Sequence, residues 1–319
     1  MNIRQTVTRL GLVAALQFGL GCSTVAREAP SSFRDCAACP EMVAVPMGSF
    51  AMGASPQALE AARVPEPFAS YQMPQHTVTI ARPFAIARYP VTRAEYERFV
   101  VATNHPSTAN CWSWNQAADR YEHQPLLTWR NPGFAQTPRD PVVCVSWHDA
   151  KAYVAWLSRV AKESYRLPSE SEREYATRAG ANTAWPWGDA TNAICDYANV
   201  SDLSRLAVHT HTQRSWQTLF DCEDGFVYTA PVGSFEPNAL GLYDTLGNVW
   251  EWVEDCFRDS YAGAPGDGAA ATVGDCDQRT LRGGSWFTLT FLNRPAARYG
   301  AAPTDRSGHI GFRVARTLD

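Results

Sequence analysis

Apolar and small residues alternate along residues 42–52, around Pro46 and Gly48, and residues 77–80 continue the alternation. This period-two pattern predicts β structure. Pro and Gly favour turns, so we expect short strands separated by turns rather than one long strand.

Three amphipathic helices are predicted further along the chain. Each begins at a Ser or Thr that is followed three positions later by Glu or Asp, the pattern of a capping box that binds free backbone N–H groups. The three capping residues are Thr92, Ser146 and Ser169. We expect one helix through Tyr96, Phe99 and Val100, a second through residues 152–157, and a third that stops at Gly180.

The remaining segments predict little regular structure. Residues 141–145 are interpreted as a buried strand because the run is almost wholly apolar. Beyond Gly180, Pro, Gly, Asn, Asp and Trp dominate without helical periodicity, which indicates loops and short strands. The 11 Trp and 12 Tyr beside 21 Gly and 21 Pro suit a loop-rich fold held by large aromatic side chains.

The N-terminus has the features of an export signal. Arg4 and Arg9 form a positive segment, and residues 10–20 form an apolar stretch too short to span a bilayer as a stable helix. Residues 1–22 are therefore interpreted as a signal peptide, either of the lipoprotein type with a lipid on Cys22, or of the ordinary type cut after Ala26. Residues 23–38 are then a polar tether, and residues 39–319 form the domain. We expect an exported protein, either periplasmic or a membrane-anchored lipoprotein of the cell envelope.

The charge of the chain argues against nucleic acid as a partner. The formal net charge is −4, and no run of Lys or Arg concentrates positive charge. Phosphate backbones are bound through such positive fields. The expected partner is an exported peptide or protein, or a small ligand, and contact with a membrane is expected only through the lipid on Cys22.

The number of cysteines supports the lipoprotein interpretation. Setting Cys22 aside from the nine leaves an even number, as expected for disulfides in an oxidising compartment. Sequence alone permits many connectivities, and nearest-neighbour pairing gives Cys36 with Cys39, Cys111 with Cys144, Cys195 with Cys222, and Cys256 with Cys276. The alternative for Cys36 and Cys39 is a redox or metal-binding pair, although no second such pair or nearby pair of His completes a zinc site.

A set of short motifs occurs in colinear order over residues 39–316. The motifs include Gly-Ser-Phe-Ala-Met-Gly at 48–53, Arg-Leu-Pro-Ser-Glu at 166–170, Trp-Pro-Trp-Gly at 185–188, Gly-Asn-Val-Trp-Glu-Trp at 247–252, Arg-Gly-Gly-Ser-Trp at 282–286 and Gly-Phe-Arg at 311–313. The set resembles the formylglycine-generating-enzyme, or sulfatase-modifying-factor, family. The resemblance implies one α+β domain with an elaborated C-type-lectin-like core and little regular secondary structure. In such a fold Trp250, Trp252 and Trp286 are expected to be core anchors with bonded indole N–H groups.

Two structural Ca²⁺ sites are implied by the same resemblance. The first would use the side chains of Asn199 and Asp224 and the carbonyls of Val200 and Phe226. The second would use the side chains of Asp244 and Glu251 and the carbonyls of Gly247 and Val249. Mixed carboxylate and carbonyl oxygens suit Ca²⁺, and a loop-rich domain gains order from the ion. The alternative is that Asp224 and Asp244 merely cap turns.

The resemblance also implies O₂-dependent oxidation of a substrate cysteine, but the copper ligands are missing. In the family, two cysteines shortly after the Gly-Gly-Ser motif hold Cu(I). In this sequence Thr288 and Asn293 stand at those positions, and no cysteine follows Cys276. Hydroxyl and amide groups cannot replace thiolates on Cu(I), so we expect no copper and no activation of sulfatases. Whether the protein is an enzyme stays open.

Polar side chains near the Gly-Gly-Ser motif are the remaining candidates for a site. The candidate cleft residues are Ser285, Thr288, Asn293, Arg298 and Trp250, accompanied by Thr290, Arg294 and Arg313. Such a set suits an anionic or peptide ligand bound through Arg. The alternative is that Arg298 and Arg313 pair with buried carboxylates such as Glu251 or Asp305. His209 and His211 are interpreted as loop residues rather than ligands.

Three functions stay open at this point. One is an oxidase or other modifying factor that acts on an exported peptide without copper, as the resemblance to siderophore-maturation members implies. The second is a non-catalytic, lectin-like binding module, since fold alone does not fix function. The third is a structural lipoprotein of the cell envelope.

Overall fold

The three predicted helices begin where the sequence predicts, and three short helices were not predicted. In the computed structural model, which describes residues 32–208, 219–274 and 276–318, they are α1 (Pro56–Ala61), α2 (Phe68–Tyr71), α3 (Arg93–Thr103), α4 (Trp147–Ala161), α5 (Glu170–Arg178) and α6 (Ile194–Tyr197). Thr92, Ser146 and Ser169 each form the predicted capping box. No described helix has the length and apolar character needed to cross a membrane. The predicted signal peptide with Cys22, and also His209 and His211, lie outside the described residues.

The strands form two main sheets and two smaller sheets of two strands each. The first sheet has the order β1 (Ser32–Phe33), β2 (Met42–Val45), β5 (Phe84–Ala87), β13 (Ala315–Thr317) and β8 (Tyr165–Arg166), with antiparallel neighbours. The smaller sheets pair β3 (Gly48–Met52) with β4 (His76–Ile80), and β6 (Cys111–Asn115) with β7 (Arg120–Gln124). The strands predicted over residues 42–52 and 77–80 are confirmed, with an interruption at Pro46 and Met47.

The second sheet carries the residues that matter most for the site. Its order is β11 (Arg298–Ala301), β10 (Arg279–Arg282), β9 (Trp250–Cys256) and β12 (Ile310–Phe312). Strand β12 pairs with β9 in parallel, and the other neighbours are antiparallel. Helix α5 packs against β9 and β10, so one face of this sheet lies against the third capped helix.

The buried strand predicted over residues 141–145 does not form. The segment is buried, but its backbone bonds to separate partners: Val142 N–H donates to the Val91 carbonyl and Cys144 N–H to the Ser307 carbonyl, each at 2.9 Å. Cys144 has a φ of 58°, which lies outside the β region. The apolar run therefore indicated burial correctly but not strand pairing.

The domain begins earlier than the predicted boundary at residue 39. Ser32 and Phe33 pair with Val43 and Met42 in the first sheet, and Phe33 packs against the main core. Residues 32–38 are thus part of the domain rather than of a polar tether. The error arose because the segment is short and Phe33 is its only large apolar side chain, so that there was no period to detect.

The core is closed by aromatic anchors and by the predicted disulfides. The Trp252 and Trp286 indole N–H groups donate to the Val145 and Gly308 carbonyls, each at 3.1 Å, as expected for buried Trp. Trp250 is buried in the same cluster as Trp252. All four nearest-neighbour disulfides form: Cys36–Cys39, Cys111–Cys144, Cys195–Cys222 and Cys256–Cys276.

Candidate functional site

The Gly-Gly-Ser motif leaves the second sheet in the connection between β10 and β11, residues 283–297. Gly283 and Gly284 have φ angles of 102° and 75°, which L side chains rarely adopt. A side chain at residue 284 would also collide with the Asn293 side chain. Glycine is therefore required for Asn293 to fold back against the motif.

Thr288 and Asn293, at the two positions where the family has copper-binding cysteines, are neutral and buried. The Ser285 and Thr288 hydroxyls share a hydrogen bond of 2.7 Å, and Asn293 Nδ2 donates to the Thr288 carbonyl at 3.3 Å. All three side chains are buried. Every cysteine of the described residues is in a disulfide, so none can offer a thiolate. This donor set does not fit Cu(I).

A cavity of about 910 Å³ lies beside this connection. Thr290, Phe291 and Arg294 of the connection line it, together with Trp185 and Phe220. The Trp185 indole N–H donates to the Asn293 carbonyl at 2.9 Å, so part of the aromatic wall is anchored at one of the two thiol positions. The volume lies within the range of roughly 300–1,000 Å³ that is typical of ligand pockets.

The five candidate cleft residues do not line this cavity. Ser285, Thr288, Asn293, Arg298 and Trp250 are all buried behind its wall or elsewhere in the core. Ser285, Thr288 and Arg298 direct their polar groups at protein partners, whereas Asn293 Oδ1 is buried without a hydrogen-bond partner. Of the wider polar set, Thr290 and Arg294 reach the cavity.

A buried ion cluster joins α5 to the second sheet through Glu251. Arg173 Nε donates to Glu251 Oε2 at 2.7 Å, and Arg313 Nη2 donates to Oε1 at 3.0 Å. Arg313 Nε lies 3.2 and 3.1 Å from the same two oxygens. Burial would raise the pKa of Glu251, but the two guanidinium groups outweigh it and hold that pKa below its usual value. Arg313 thus serves the fold, as the alternative interpretation of the sequence proposed.

A second buried cluster engages Arg298. Its Nε and Nη2 donate to Glu170 Oε1 and Oε2 at 2.6 and 2.9 Å, a bidentate pair. Arg282 lies 3.3 Å from Glu170 and also donates to Glu174. The predicted alternative for Arg298 was therefore right about a buried carboxylate, but the carboxylate is Glu170 rather than Asp305. Glu170 is the first residue of α5, so both clusters hold the same helix onto the sheet.

The first predicted calcium set offers oxygens that suit a hard cation. Asn199 Oδ1 is sealed from solvent and has no hydrogen-bond partner, while Asn199 Nδ2 donates to the Tyr228 carbonyl at 2.7 Å. Asp224 accepts from the Val200 and Phe226 N–H groups at 2.7 and 2.8 Å. Burial and the nearby Asp202 carboxylate raise the pKa of Asp224 to about 7. An orphaned oxygen beside two repelling carboxylates fits Ca²⁺.

The second predicted calcium set does not fit in the same way. Asp244 accepts from the Gly233 N–H and from Asn248 Nδ2 at 2.8 and 3.1 Å. The Glu251 oxygens are taken by two arginines, as described above, so the proposed charged ligand is already neutralised. Among the described residues no three His, Cys, Asp or Glu side chains cluster as ligands for a metal.

Several residues of the site were not singled out from the sequence. Trp185 and Phe291 form the cavity wall, and Glu170 and Arg173 hold α5 to the sheet. The available signal was that Trp185 and Glu170 belong to the colinear motifs. A motif marks a residue as part of a pattern, but it does not tell whether the side chain faces a cavity or a buried partner.

Comparisons with known proteins agree with this architecture. The family model of the sulfatase-modifying factor enzyme 1-like domain matches residues 28–318. A formylglycine-generating enzyme from Streptomyces coelicolor is 34% identical over 316 residues, covering 87% of this chain and 89% of the relative. An inactive C-alpha-formylglycine-generating enzyme 2 from Mus musculus is 31% identical, covering 86% of this chain and 85% of the relative. The solved structure of PvdO from Pseudomonas aeruginosa has a TM-score of 0.72 and 38% identity, covering 92% of this chain and 100% of that one.

The matched segment contains both sheets, α1 to α6 and the cavity, and the fold is the α+β type that the motifs implied. The chain therefore belongs to the sulfatase-modifying factor enzyme 1-like family.

Proposed function

We propose that the protein is an exported, copper-independent modifying factor that takes a segment of an exported peptide or protein into the cavity beside Thr290, Phe291 and Arg294. The observation that carries the proposal is the combination of this cavity with a connection that has lost both thiols. Relatives of similar identity are named as formylglycine-generating enzymes in one case and as an inactive form in another. The fold is thus compatible with enzymatic activity and also with the loss of that activity.

Export is supported by the four disulfides and by the N-terminal sequence. Disulfides persist in oxidising compartments and are rare in the cytosol. The apolar segment at residues 10–20, with Arg4 and Arg9 before it, supplies the signal, and Cys22 is the proposed lipid attachment point. These two features support the proposal of a periplasmic or envelope-anchored location.

A second candidate is binding without modification. It is favoured by the lining of the cavity, in which the one cysteine, Cys222, is held in a disulfide and no histidine contributes among the described residues. Hydroxyl, guanidinium and aromatic groups remain, and they are suited to recognition. Mass spectrometry of a bound peptide separates the candidates, because modification changes the mass of the peptide and binding alone does not.

Copper-dependent sulfatase activation is expected to be absent from the wild-type protein. A peptide with the sequence Cys-x-Pro-x-Arg, incubated in air with Cu(I), should keep its thiol, because Thr288 and Asn293 cannot hold the metal. The double variant Thr288→Cys, Asn293→Cys should bind more copper without necessarily gaining turnover, since the positions of both thiols relative to the substrate also matter. Copper content and peptide mass are the measurements. Conversion by the wild type that a copper chelator abolishes would contradict the proposal.

We also propose a structural Ca²⁺ ion at the first predicted set, with Asn199 and Asp224 as side-chain ligands and the Val200 and Phe226 carbonyls completing it. The Asn199 side-chain oxygen, which has no hydrogen-bond partner, would coordinate the ion. The positive charge of the ion would relieve the repulsion between the Asp224 and Asp202 carboxylates. We propose no ion at the second set, because both Glu251 oxygens are engaged by arginines.

Removal of Ca²⁺ is therefore expected to lower the melting temperature, and added Ca²⁺ should restore it. The variant Asn199→Ala should melt at a lower temperature in Ca²⁺ and should respond less to chelator, because the orphaned ligand is gone. Asp277→Asn, which alters an exposed aspartate outside both sets, is the matched control and should respond like the wild type. An unchanged melting curve in chelator, with no calcium by elemental analysis, would rule out the ion.

A further inference from the structure

We propose that Arg294 makes the cavity selective for a carboxylate, so that the segment it takes up carries an acidic group next to an apolar or aromatic residue. This inference rests on the proposed function, since it specifies the chemistry of the ligand in the same cavity. It is carried by the contacts of Arg294, by the lack of an ion pair between Arg294 and any described carboxylate, and by the aromatic wall around it.

Arg294 is held in a fixed orientation by neutral groups. Its side chain is 93% buried, leaving 7% exposed. Nε donates to the Phe291 carbonyl at 3.1 Å, and Nη2 donates to Gln72 Oε1 at 2.8 Å. Gln72 is itself buried and anchored, because its Nε2 donates to the Phe68 carbonyl at 3.0 Å. A guanidinium has five N–H donors, so Nη1 and the second hydrogen of Nη2 remain for a ligand.

No described carboxylate contacts the Arg294 guanidinium. The other deeply buried arginines around the second sheet each form an ion pair with a glutamate. Arg173 and Arg313 pair with Glu251, while Arg282 and Arg298 pair with Glu170. Arg294 forms no ion pair with any described residue. A buried cation without a partner is costly, and an arriving carboxylate would offset that cost.

The electrostatic surroundings of Arg294 leave it charged at neutral pH. Burial, together with the positive charge of Arg178, lowers its pKa to about 10, while Glu174 acts in the opposite direction. Glu174 is already paired with Arg178 and Arg282. The other charged residues of the cavity lining are Arg63 and Asp221, which are both exposed, so the cavity has an excess of positive charge.

The wall around Arg294 is aromatic, which defines the rest of the ligand. Trp185 and Phe291 lie on the same wall as the guanidinium, and Phe220 contributes a third ring. Trp185 is fixed by its bond to the Asn293 carbonyl and stacks on Trp187, with ring centroids 6.2 Å apart. Rings of this kind favour apolar and aromatic side chains, and the guanidinium fork matches the two oxygens of a carboxylate.

The experiment compares capped tetrapeptides, Ala-Trp-Glu-Ala and Ala-Trp-Gln-Ala, for binding to the full oxidised protein by isothermal titration calorimetry. The wild type should bind the Glu peptide roughly tenfold or more tightly than the Gln peptide, as expected for a charge-assisted hydrogen bond to a fixed guanidinium. Arg294→Gln should remove that preference, and Arg159→Gln, an exposed arginine on α4, should keep it. An uncapped Ala-Trp-Gln-Ala tests whether a terminal carboxylate serves as well as a side chain.

Thermal melting distinguishes a binding role of Arg294 from a purely structural role, because the two roles predict opposite changes in the melting temperature of the Arg294→Gln variant. Since Arg294 forms no ion pair within the described part of the chain, Arg294→Gln should leave the melting temperature unchanged or raise it, whereas loss of an ion-paired arginine should lower it. Equal affinity of the wild type for the Glu and Gln peptides overturns the carboxylate proposal alone. A phosphoserine peptide that binds tighter than the Glu peptide also overturns it. Absence of binding by every peptide overturns the proposed function and this inference together.

Discussion

Glu251→Gln is expected to destabilise the protein by about 3–5 kcal/mol, the usual cost of breaking a buried ion pair by removing one partner. The substitution keeps the shape of the side chain but deletes its charge. Arg173 and Arg313 would then be two fully buried cations facing a neutral amide. Because these residues connect α5, β9 and the segment after β12, the loss should be felt by the whole domain and not by one loop.

The pH dependence of the wild type follows from the same cluster. The folded-state pKa of Glu251 lies below its ordinary value of 4.5, so the stabilisation is present above that pH and is lost as the pH falls through the folded-state pKa. The variant Glu251→Gln should lose this part of the acid sensitivity. Free energies of unfolding from urea titrations at neutral and acidic pH provide the comparison.

The control for this prediction is Glu223→Gln, which alters an exposed glutamate. Its effect should stay below about 1 kcal/mol, as is usual for surface charges. The same titrations also test the calcium interpretation of Glu251. A loss for Glu251→Gln that appears only with Ca²⁺ present would mean that this carboxylate acts as a metal ligand, and it would contradict the ion-cluster explanation.

The elements that could be predicted from the sequence are those decided by neighbours along the chain. Thr92, Ser146 and Ser169 cap helices because each accepts from a backbone N–H three residues later, within the same segment. The disulfide pairing was also recovered, since each cysteine meets the next one along the chain. The strand prediction for residues 141–145 was wrong because a strand needs a partner strand. The backbone partners of this segment, Val91 and Ser307, are distant in sequence.

The candidate site could be predicted only in part, for a related reason. The loss of the copper thiols can be read directly at Thr288 and Asn293, because it depends on residue type alone. Arg298 and Arg294 are indistinguishable in the sequence, yet one meets Glu170 across 128 positions and the other meets only neutral groups. Which arginine is neutralised depends on tertiary contacts, so the arginine proposed for ligand binding could not be separated from the structural one.

Loss of the Cys111–Cys144 disulfide is expected to have the other large effect on stability. The bond joins the first residue of β6 to the irregular segment before α4, across a sequence separation of 33 residues. Both cysteines pack with Trp286 in one hydrophobic cluster, so the bond also supports the start of the β10–β11 connection. Loop-closure entropy for this separation corresponds to about 3–4 kcal/mol.

The double variant Cys111→Ala, Cys144→Ala should therefore lose about 3–4 kcal/mol in urea unfolding, while Cys36→Ala, Cys39→Ala should lose about half as much. The comparison is informative because the second pair has a separation of only 3 residues, and the unfolded chain gains little freedom when so short a loop opens. Replacing cysteines in pairs leaves no free thiol to exchange with the remaining disulfides. Equal losses for the two double variants would mean that local packing, and not restriction of the unfolded chain, determines what each bond contributes. If the Cys111→Ala, Cys144→Ala variant loses more stability and also binds peptides more weakly, then the disulfide that packs with Trp286 helps to order the β10–β11 connection that lines the cavity.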